Sequence, residues 1–235
     1  MRAVLALLVL LAAGLTPAIH GDFSHYTFAL TWQPGICTTG KGCVRSQPRS
    51  PLIGLHGLWA SRPRQLIERG VTDPQWWSRG CDYYGRSNAA PPIGSRLRAA
   101  LERVMPHFTY DLLVHEYDKH MRCFGFDPTA FFSTELAMRH AVIAGRFGAF
   151  LVGHAGRVVT HTSVTAQFAS AFATNQRTSL QLQCNRNVAG EMVLTQFWIT
   201  IRASTIDRFP QSSSLIDATV NQDTCPASFR IPRWP

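Results

Sequence analysis

Two short segments hold most of the acid–base chemistry that this sequence offers. The denser one, residues 115–120, runs His-Glu-Tyr-Asp-Lys-His and puts two imidazoles, two carboxylates and an ammonium group within six positions. If it is helical, His115, Glu116, Lys119 and His120 share one arc of about 140°. Imidazole exchanges protons near neutral pH, and a lysine stabilises charge on a phosphoryl group. The arc therefore favours proton and phosphate handling; the alternative is a solvated helix face with i,i+4 ion pairs.

The same segment begins like the HExxH motif of zinc proteases and then departs from it. That motif places two histidines at i and i+4, so that both face one ion. Here His115 and His120 stand at i and i+5, about 140° apart on a regular helix, which predicts that they cannot share an ion. The sequence therefore predicts no metal and no cofactor. The alternative, a metalloenzyme that uses both histidines and a carboxylate, would be inhibited by chelators.

The second segment is His56-Gly57-Leu58-Trp59, which puts an imidazole beside a flat aromatic ring. RNA cleavage without a metal needs a base for the ribose 2′-hydroxyl, an acid for the leaving 5′-oxygen and a cation for the phosphoryl charge. The two segments together supply all of these groups, and Trp59 would stack on a base. The alternative is a core histidine packed against a core tryptophan.

The elements around these segments mix helices with strands. Strands are predicted over residues 23–32, 52–59, 179–184 and 191–203, the last two as a hairpin. Helices are predicted over residues 73–80, 94–105, 128–147 and from 162 or 163 to 173, and Asp73 and Asp127 each precede a proline as an N-cap would. This order indicates an α+β fold with mostly antiparallel strands.

Length and composition indicate one exported globular domain. The chain has 235 residues, 46% hydrophobic and 16% charged, which argues against disorder. Residues 1–18 carry Arg2, an apolar run and small residues before a cleavage point, as a secretion signal does. A membrane anchor is the alternative for this segment, and no later segment is apolar enough to span a bilayer.

The net charge and the cysteine content narrow the class of protein further. The formal charge is +9, and +8 without the signal, with only Lys41 and Lys119 as lysines among 23 basic residues. Because arginine pairs well with phosphate, a polyanionic partner is plausible. The six cysteines of an exported chain indicate three disulfides, whose pairing spacing alone leaves open. No CxxC pair is present, which argues against a zinc ribbon.

The residues also resemble a known family. The segment His56–Trp59 resembles the first active-site segment of the ribonuclease T2 family, and residues 115–123 (HEYDKHMRC) resemble the second. Residues 28–33 with Cys37 are similar to the N-terminal strand of that family. Residues 124–128 (FGFDP) and the strand with Cys184 look most like its bacterial periplasmic members. The likeness covers most of the chain after the signal, and the ordered pair of active-site segments is its most specific feature.

That resemblance implies a central antiparallel sheet with flanking helices, stapled by disulfides, as one catalytic domain over residues 19–235. It implies a metal-independent endoribonuclease that cuts single-stranded RNA with low base specificity, through a 2′,3′-cyclic phosphate, to 3′-phosphate ends. The protein would be monomeric, periplasmic or secreted, and off the membrane. The implied roles are catalysis by His56, Glu116, Lys119 and His120, phosphate binding by His115 and base stacking by Trp59. The implied disulfides are Cys37–Cys43, Cys81–Cys123 and Cys184–Cys225.

Three positions depart from the family pattern. Ala60 stands where a proline is usual, and Ser61 stands where some members have an aspartate that reads the base. Met121 replaces a usual glycine and is followed by Arg122, so a side chain could crowd the site or alter the helix end. An exported RNA-binding protein that has lost catalysis is therefore the second alternative.

Overall fold

The computed structural model describes residues 22–39 and 42–234, so the predicted signal segment lies outside the described residues. The strands are β1 (His25–Trp32), β2 (Ile53–Ala60), β3 (Arg157–Thr160), β4 (Leu180–Arg186), β5 (Met192–Arg202) and β6 (Ser228–Ile231). The α-helices are α1 (Gln33–Cys37), α2 (Arg64–Glu68), α3 (Asp73–Arg79), α4 (Ser95–Glu102), α5 (Leu112–His120), α6 (Pro128–Ala144), α7 (Arg146–Gly153) and α8 (His161–Phe172). The predicted α+β class is confirmed.

The strands form one sheet in the order β2-β1-β5-β6-β3, with β4 paired to β5. Every pairing is antiparallel except the short parallel contact of β5 with β6, where Val193 lies opposite Arg230. The strands β1, β2, β4 and β5 correspond to the predicted ones. Strands β3 and β6 were not predicted, because four residues are too few to show an alternating pattern.

The sheet has one apolar face and one mixed face. Residues that lie directly opposite each other on neighbouring strands share a face, and the apolar face carries Phe28, Leu30, Leu58, Phe197 and Ile199, all buried. Helices cover this face; Phe147 of α7 packs edge-on against Phe197 at 5.7 Å. The mixed face carries Thr27, Trp59, Gln196, Trp198 and Thr200. The candidate functional site lies on this mixed face.

Several helix ends differ from the predictions. Helix α4, expected over residues 94–105, spans Ser95–Glu102, because the residues that follow form a turn. Thr72, not Asp73, caps α3: its hydroxyl accepts from the amide of Gln75, whose side chain accepts from the amide of Thr72. Thr160 likewise caps α8, two residues earlier than predicted. The helix expected over residues 128–147 is capped by Asp127 as predicted but ends at Ala144, because Gly145 is extended, and α7 follows at a 64° bend.

The described chain contains the three disulfides that the family resemblance implies. They join Cys37 with Cys43, Cys81 with Cys123, and Cys184 with Cys225. The second disulfide lies just after the last residue of α5 and ties that end to the 3₁₀ turn Gly80–Tyr84. The third fastens β4 to the C-terminal segment.

Within the described residues, no single helix has the length and apolar character needed to cross a membrane. Helices α6 and α7 meet the length and composition test only as a bent pair. Both contribute buried side chains to the core, among them Phe132 and Phe147.

Candidate active site

All six side chains proposed for catalysis or substrate binding line one cavity of about 300 Å³ on the mixed face of the sheet. They are His56, Trp59, His115, Glu116, Lys119 and His120. The two sequence segments lie about 60 residues apart in the chain, and they meet because α5 packs against β2. The predicted arc on α5 is therefore confirmed as a shared surface that faces this cavity.

A β-bulge in β2 aims His56 into the cavity. Leu55 lies opposite Leu30 and Gly57 opposite the preceding Ala29, so His56 is the extra residue of β2 with no partner on β1. Such a bulge bends the strand locally and redirects one side chain. The bulge explains how His56 and Trp59, three positions apart, line the same cavity although strict alternation would separate them.

The imidazole of His56 is oriented by β5. Its Nδ1 lies 2.9 Å from Oε1 of Gln196, and the same oxygen accepts a hydrogen bond from Nε1 of Trp198 at 3.1 Å. An amide oxygen only accepts hydrogen bonds, so Nδ1 of His56 carries the proton. In the neutral ring, Nε2 is then the free nitrogen, and it faces Glu116.

The carboxyl group of Glu116 is buried between β2 and α5. Its Oε2 accepts a 2.6 Å hydrogen bond from Nε1 of Trp59, while Oε1 lies 3.4 Å from Nε2 of His56 and accepts no hydrogen bond from the described residues. This position requires Gly57, because a β-carbon there would overlap Oε2 of Glu116. The glycine in the first segment therefore makes room for the carboxyl group of the second.

Burial holds this pair uncharged. It raises the pKa of Glu116 to about 8, against the opposing effects of Trp59 and Lys119. The pKa of His56 is lowered to about 4, chiefly by burial; the hydrogen bond to Gln196 opposes this shift, while the nearby His115 and Lys119 add to it. At neutral pH the pair therefore keeps one proton on the carboxyl group of Glu116, 3.4 Å from an unprotonated Nε2.

The other two histidines lie on α5, with Lys119 beside them. The ring centroids of His115 and His120 are 6.0 Å apart, and the ring of His120 lies over Trp59 at 5.3 Å. Burial lowers the pKa of His120 well below its usual value, and the charge of Lys119 adds to this; the pKa of His115 is lowered for the same reasons. At neutral pH, His120 is an unprotonated imidazole that can accept a proton.

The prediction that His115 and His120 cannot share an ion was wrong. Ligand atoms of His115, Glu116 and His120 lie within 4.8 Å of one another, close enough to hold one metal ion. His120 is the last residue of α5 and His115 lies in its middle, so both long side chains can turn inward across the arc. That the enzyme uses no metal stays a prediction, and the spacing of the two histidines no longer supports it.

The residues after His120 do not obstruct the cavity. Met121 has a negative φ of −126°, which suits a residue with a side chain, and that side chain is fully buried in the core. Arg122 turns the other way and pairs with Asp118 at 2.6 Å and with Asp82 at 3.5 Å. The expected crowding is therefore wrong: these two residues anchor the end of α5, together with the disulfide at Cys123.

Ser61 has a structural contact in place of the base-reading aspartate of some family members. Its hydroxyl accepts hydrogen bonds from the backbone amides of Ser24 and His25, both at 3.2 Å, and so ties the start of β1 to the end of β2. His25 lines the cavity as a result, near Asp73, which pairs with Arg62 at 3.4 Å. This rim was not predicted from the sequence, because it joins three separate segments.

A second acid lies buried behind the site. Glu135 of α6 is fully buried, and neither of its carboxyl oxygens has a hydrogen-bond partner among the described residues. Burial, and then the proximity of Glu116, raise its pKa well above the usual value. Arg139, one turn along α6, donates instead to the carbonyl of Ile53 at 3.0 Å. Burial therefore favours the protonated form of Glu135.

Residues of β5 complete the site, and their part in it was not predicted. Gln196, Trp198 and Thr200 alternate with buried apolar residues, so all three point to the face of the sheet on which the cavity lies. The signal was present in the sequence as polar and aromatic residues at every second position of a predicted strand. Which face they share depends on the register with β1, which a single sequence does not specify.

Comparison with known proteins agrees with this arrangement. The model of the family described as "Ribonuclease T2 family" matches residues 23–215. Ribonuclease I of Escherichia coli (strain K12) is 29% identical over 245 residues, which cover 94% of this chain and 90% of that protein.

Solved structures show the same fold. A mutant of RNase MC1, a bitter gourd seed enzyme, in complex with 5′-GMP is 22% identical with a TM-score of 0.63, over 89% of this chain and all of that one. RNase NT in complex with 5′-AMP is 18% identical with a TM-score of 0.62, over 90% of this chain and 98% of that one. This chain is an endoribonuclease and belongs to the ribonuclease T2 family.

Proposed function

We propose that this enzyme cleaves single-stranded RNA without a metal, by transfer of the phosphoryl group to the 2′-oxygen. The observation that carries the proposal is the convergence of His56, Glu116, Lys119 and His120 on one cavity, with different protonation states. A proton acceptor, a stored proton and a cation are the groups that this reaction requires.

His120 acts as the base in the first step, because its pKa is lowered and because the carboxyl group of Glu116, 3.4 Å from Nε2 of His56, suits His56 to the role of acid. It takes the proton of the ribose 2′-hydroxyl, and the 2′-oxygen bonds to phosphorus. The bond from phosphorus to the 5′-oxygen breaks, and His56 delivers a proton to that leaving oxygen. The products are a 2′,3′-cyclic phosphate and a free 5′-hydroxyl. In the second step His56 takes a proton from water as its oxygen bonds to phosphorus, the bond from phosphorus to the 2′-oxygen breaks, and His120 returns its proton to that oxygen, which yields a 3′-phosphate.

The proton that His56 delivers is held by Glu116 in the resting enzyme. The carboxyl Oε1 lies 3.4 Å from Nε2 of His56. A bound phosphate diester brings negative charge beside His56, which raises the pKa of its imidazole and draws the proton across. The carboxylate left on Glu116 keeps the hydrogen bond from Trp59.

Lys119 and His115 stabilise the phosphoryl group. Lys119 supplies the positive charge, which matters most when phosphorus carries five oxygens, and His115 contacts a non-bridging oxygen. Trp59 presents its indole ring to the cavity for a base to stack on, and its ring neighbours there are His56, His120 and Trp198 at 5.2, 5.3 and 5.2 Å. Stacking tolerates every base and Ser61 is occupied by the backbone, which supports low base specificity.

The relatives support a nucleotide ligand, since the solved structures of two of them contain 5′-GMP and 5′-AMP. We infer that residues 19–235 form one catalytic domain that works as a monomer off the membrane, in the periplasm or outside the cell. The composition of residues 1–18 and the three disulfides support an oxidising location.

The test is digestion of single-stranded RNA in excess EDTA by the wild type and by His56→Ala and His120→Ala. The exposed His140→Ala serves as the matched control. We expect full activity of wild type and control in EDTA, and loss of at least about 10²-fold in each site variant, because each loses a proton-transfer group. Inhibition by EDTA, or near-normal turnover of either site variant, would overturn the proposal.

A further inference from the structure

We propose that the active-site cavity extends into a neutral arm that binds one further nucleoside of the RNA strand, with Trp198 as its stacking surface. This inference rests on the proposed function, because it assigns a part of the same cavity to the same substrate. The arm consists of Gln181, Trp198, Thr200, Ala218, Thr219, Val220 and Gln222.

The floor of the cavity is longer than one nucleoside needs. Trp59 on β2 lies opposite Thr27 on β1, and Thr27 lies opposite Thr200 on β5. One strand further, Gln181 on β4 lies opposite Trp198. Four neighbouring strands therefore form the floor, and three strand spacings amount to about 14 Å. The catalytic groups occupy the β2 end, which leaves the β5 and β4 end for another part of the strand.

The chemistry of the arm suits a base and a ribose. In the described residues that line it, amides, hydroxyls and apolar groups occur and no charged side chain does. The catalytic end, by contrast, has Lys119 and two further histidines beside His56. A phosphate would be held by cations, whereas a base requires a flat ring and hydrogen-bonding groups. Trp198 is half-buried with its indole on the cavity side, and so supplies the ring.

The arm is a built site rather than a mobile rim. Gln181 donates from Nε2 to the carbonyl of Val220 at 2.8 Å, and its Oε1 accepts from the amide of Gln222 at 3.3 Å. Gln183 donates to the carbonyl of Gln222 at 2.6 Å. These bonds fix residues 220–222 against β4 before any ligand binds. A preformed wall lowers the entropy cost of ordering the site on binding.

The arm lies beyond the two nucleosides that flank the cleaved bond. His56 borders the active-site cavity on one side and, on the other, a second cavity walled by Phe108 and Tyr110, whose rings stack at 5.3 Å. The strand can therefore continue on both sides of His56, with one flanking nucleoside in each direction. Trp198 meets Trp59 edge to face at 5.2 Å, so the arm begins where the nucleoside on Trp59 ends.

The test measures binding separately from cleavage. The ligands are fully 2′-O-methylated RNA oligomers of two, three, four and six nucleotides, which lack the attacking hydroxyl. Binding to the full chain is followed by calorimetry for the wild type, Trp198→Leu and Trp198→Phe. The phenylalanine variant keeps a stacking ring but loses the Nε1 donor to Gln196. Gln222→Ala tests the opposite wall.

We expect affinity to rise between the dimer and the longer oligomers in the wild type. Trp198→Leu should lose about 5- to 100-fold of affinity for the hexamer, with a smaller loss for the dimer, and Trp198→Phe should keep most of that affinity. Gln222→Ala should lose part of the same gain with length. Two results would contradict the proposal that the arm binds a nucleoside: equal losses of affinity for the dimer and the hexamer, or equal losses of affinity in the two Trp198 variants. Either result would mean that Trp198 acts only by donating its hydrogen bond to Gln196. Absence of cleavage by the wild type would overturn the proposed function alone, since the methylated ligands report binding regardless.

Discussion

The protonation of Glu116 depends on the absence of a β-carbon at Gly57. Because Gly57 has no β-carbon, the carboxyl group fits against β2, accepts from Trp59 and lies beside His56. The same burial raises its pKa to about 8, so a proton is stored next to a histidine that would otherwise have none to give. The space at Gly57 therefore allows the carboxyl group of the second active-site segment to pack against the first segment.

Gly57→Ala should therefore lower kcat by about 10²-fold or more, because Glu116 must move away from His56. RNA affinity should change less, since Lys119 and His115 stay in place. The control is Gly94→Ala, where a β-carbon meets no atom within 4 Å and φ is negative. Activity of Gly57→Ala equal to that of Gly94→Ala would contradict the proton store.

The hydrogen bond between Gln196 and His56 predicts a shift in the pH profile. Wild-type kcat/KM should fall as pH rises through about 8, when the pair of Glu116 and His56 loses its proton. Gln196→Glu places a negative charge at Nδ1, holds that proton more tightly and should move this alkaline limb to higher pH. Gln196→Met, which removes the acceptor without adding charge, should lower kcat with no upward shift. An unmoved limb in Gln196→Glu would exclude His56 from the titration.

The residue types of the two segments were enough to predict six side chains that now line one cavity. Gln196 and Trp198 could not be predicted to join them, because their contact with β2 depends on the strand register across β1. The β-bulge at His56 was unpredictable for the same reason: it exists only relative to the partner strand.

At the scale of elements, α5 is a short helix held at both ends. Asp111 caps its start by accepting from the amide of Val114 at 3.1 Å. At its other end, the disulfide of Cys81 with Cys123 and the ion pairs of Arg122 join it to the 3₁₀ turn. Gly80 of that turn has a positive φ of 51°, and a β-carbon there would overlap the carbonyl of Lys119. The catalytic positions are therefore fixed by contacts behind them.

Two disulfides of almost equal loop length provide a matched test of this anchoring. Cys81–Cys123 spans 42 residues and Cys184–Cys225 spans 41, so the entropy that each removes from the unfolded chain is the same. Replacing both cysteines of either pair by serine should cost about 2–5 kcal/mol of unfolding free energy. Only the loss of Cys81–Cys123 should also lower kcat in conditions where both variants are folded. Equal kcat values would contradict the anchoring role.

N-cap residues and helix-ending glycines account for which helix ends were predicted correctly. Asp127 before Pro128 predicted the start of α6 correctly, while the capping box of Thr72 and Gln75 was present in the sequence and was overlooked. The break at Gly145 was not predicted because the apolar pattern continues across it into α7. A glycine inside an apolar run costs only about 1 kcal/mol, so tertiary packing decides whether the helix bends there.

At the scale of the whole molecule, buried ionisable groups set how stability changes with pH. Folding raises the pKa values of Glu116 and Glu135, so above about pH 4.3 the folded chain binds more protons than the unfolded chain and stability falls as pH rises. Folding lowers the pKa values of His56 and His120, so these two groups reduce stability as pH falls below about 6.5. Between about pH 6.5 and 8 only the effect of the carboxyl groups remains.

Glu135→Gln removes one of these acids while it keeps the shape of the side chain. The variant should melt at a higher temperature than the wild type at pH 8. The difference in melting temperature should shrink toward pH 5, where protonation of the Glu135 carboxyl group costs little free energy. Thermal unfolding at several pH values measures this, with the exposed Glu68→Gln as the control. A difference that does not depend on pH would show that Glu135 is ionised in the folded chain.

The central claim is that the 2′-oxygen of RNA attacks phosphorus between His120 and His56. The most direct measurement is digestion of one single-stranded RNA oligomer in EDTA, with and without a single 2′-O-methyl group, and with the products identified by mass spectrometry. We expect fragments with 2′,3′-cyclic phosphate and later 3′-phosphate ends at every cut, and loss of cleavage only after the methylated nucleotide. Cleavage at the methylated position, or products with 5′-phosphate ends, would contradict it.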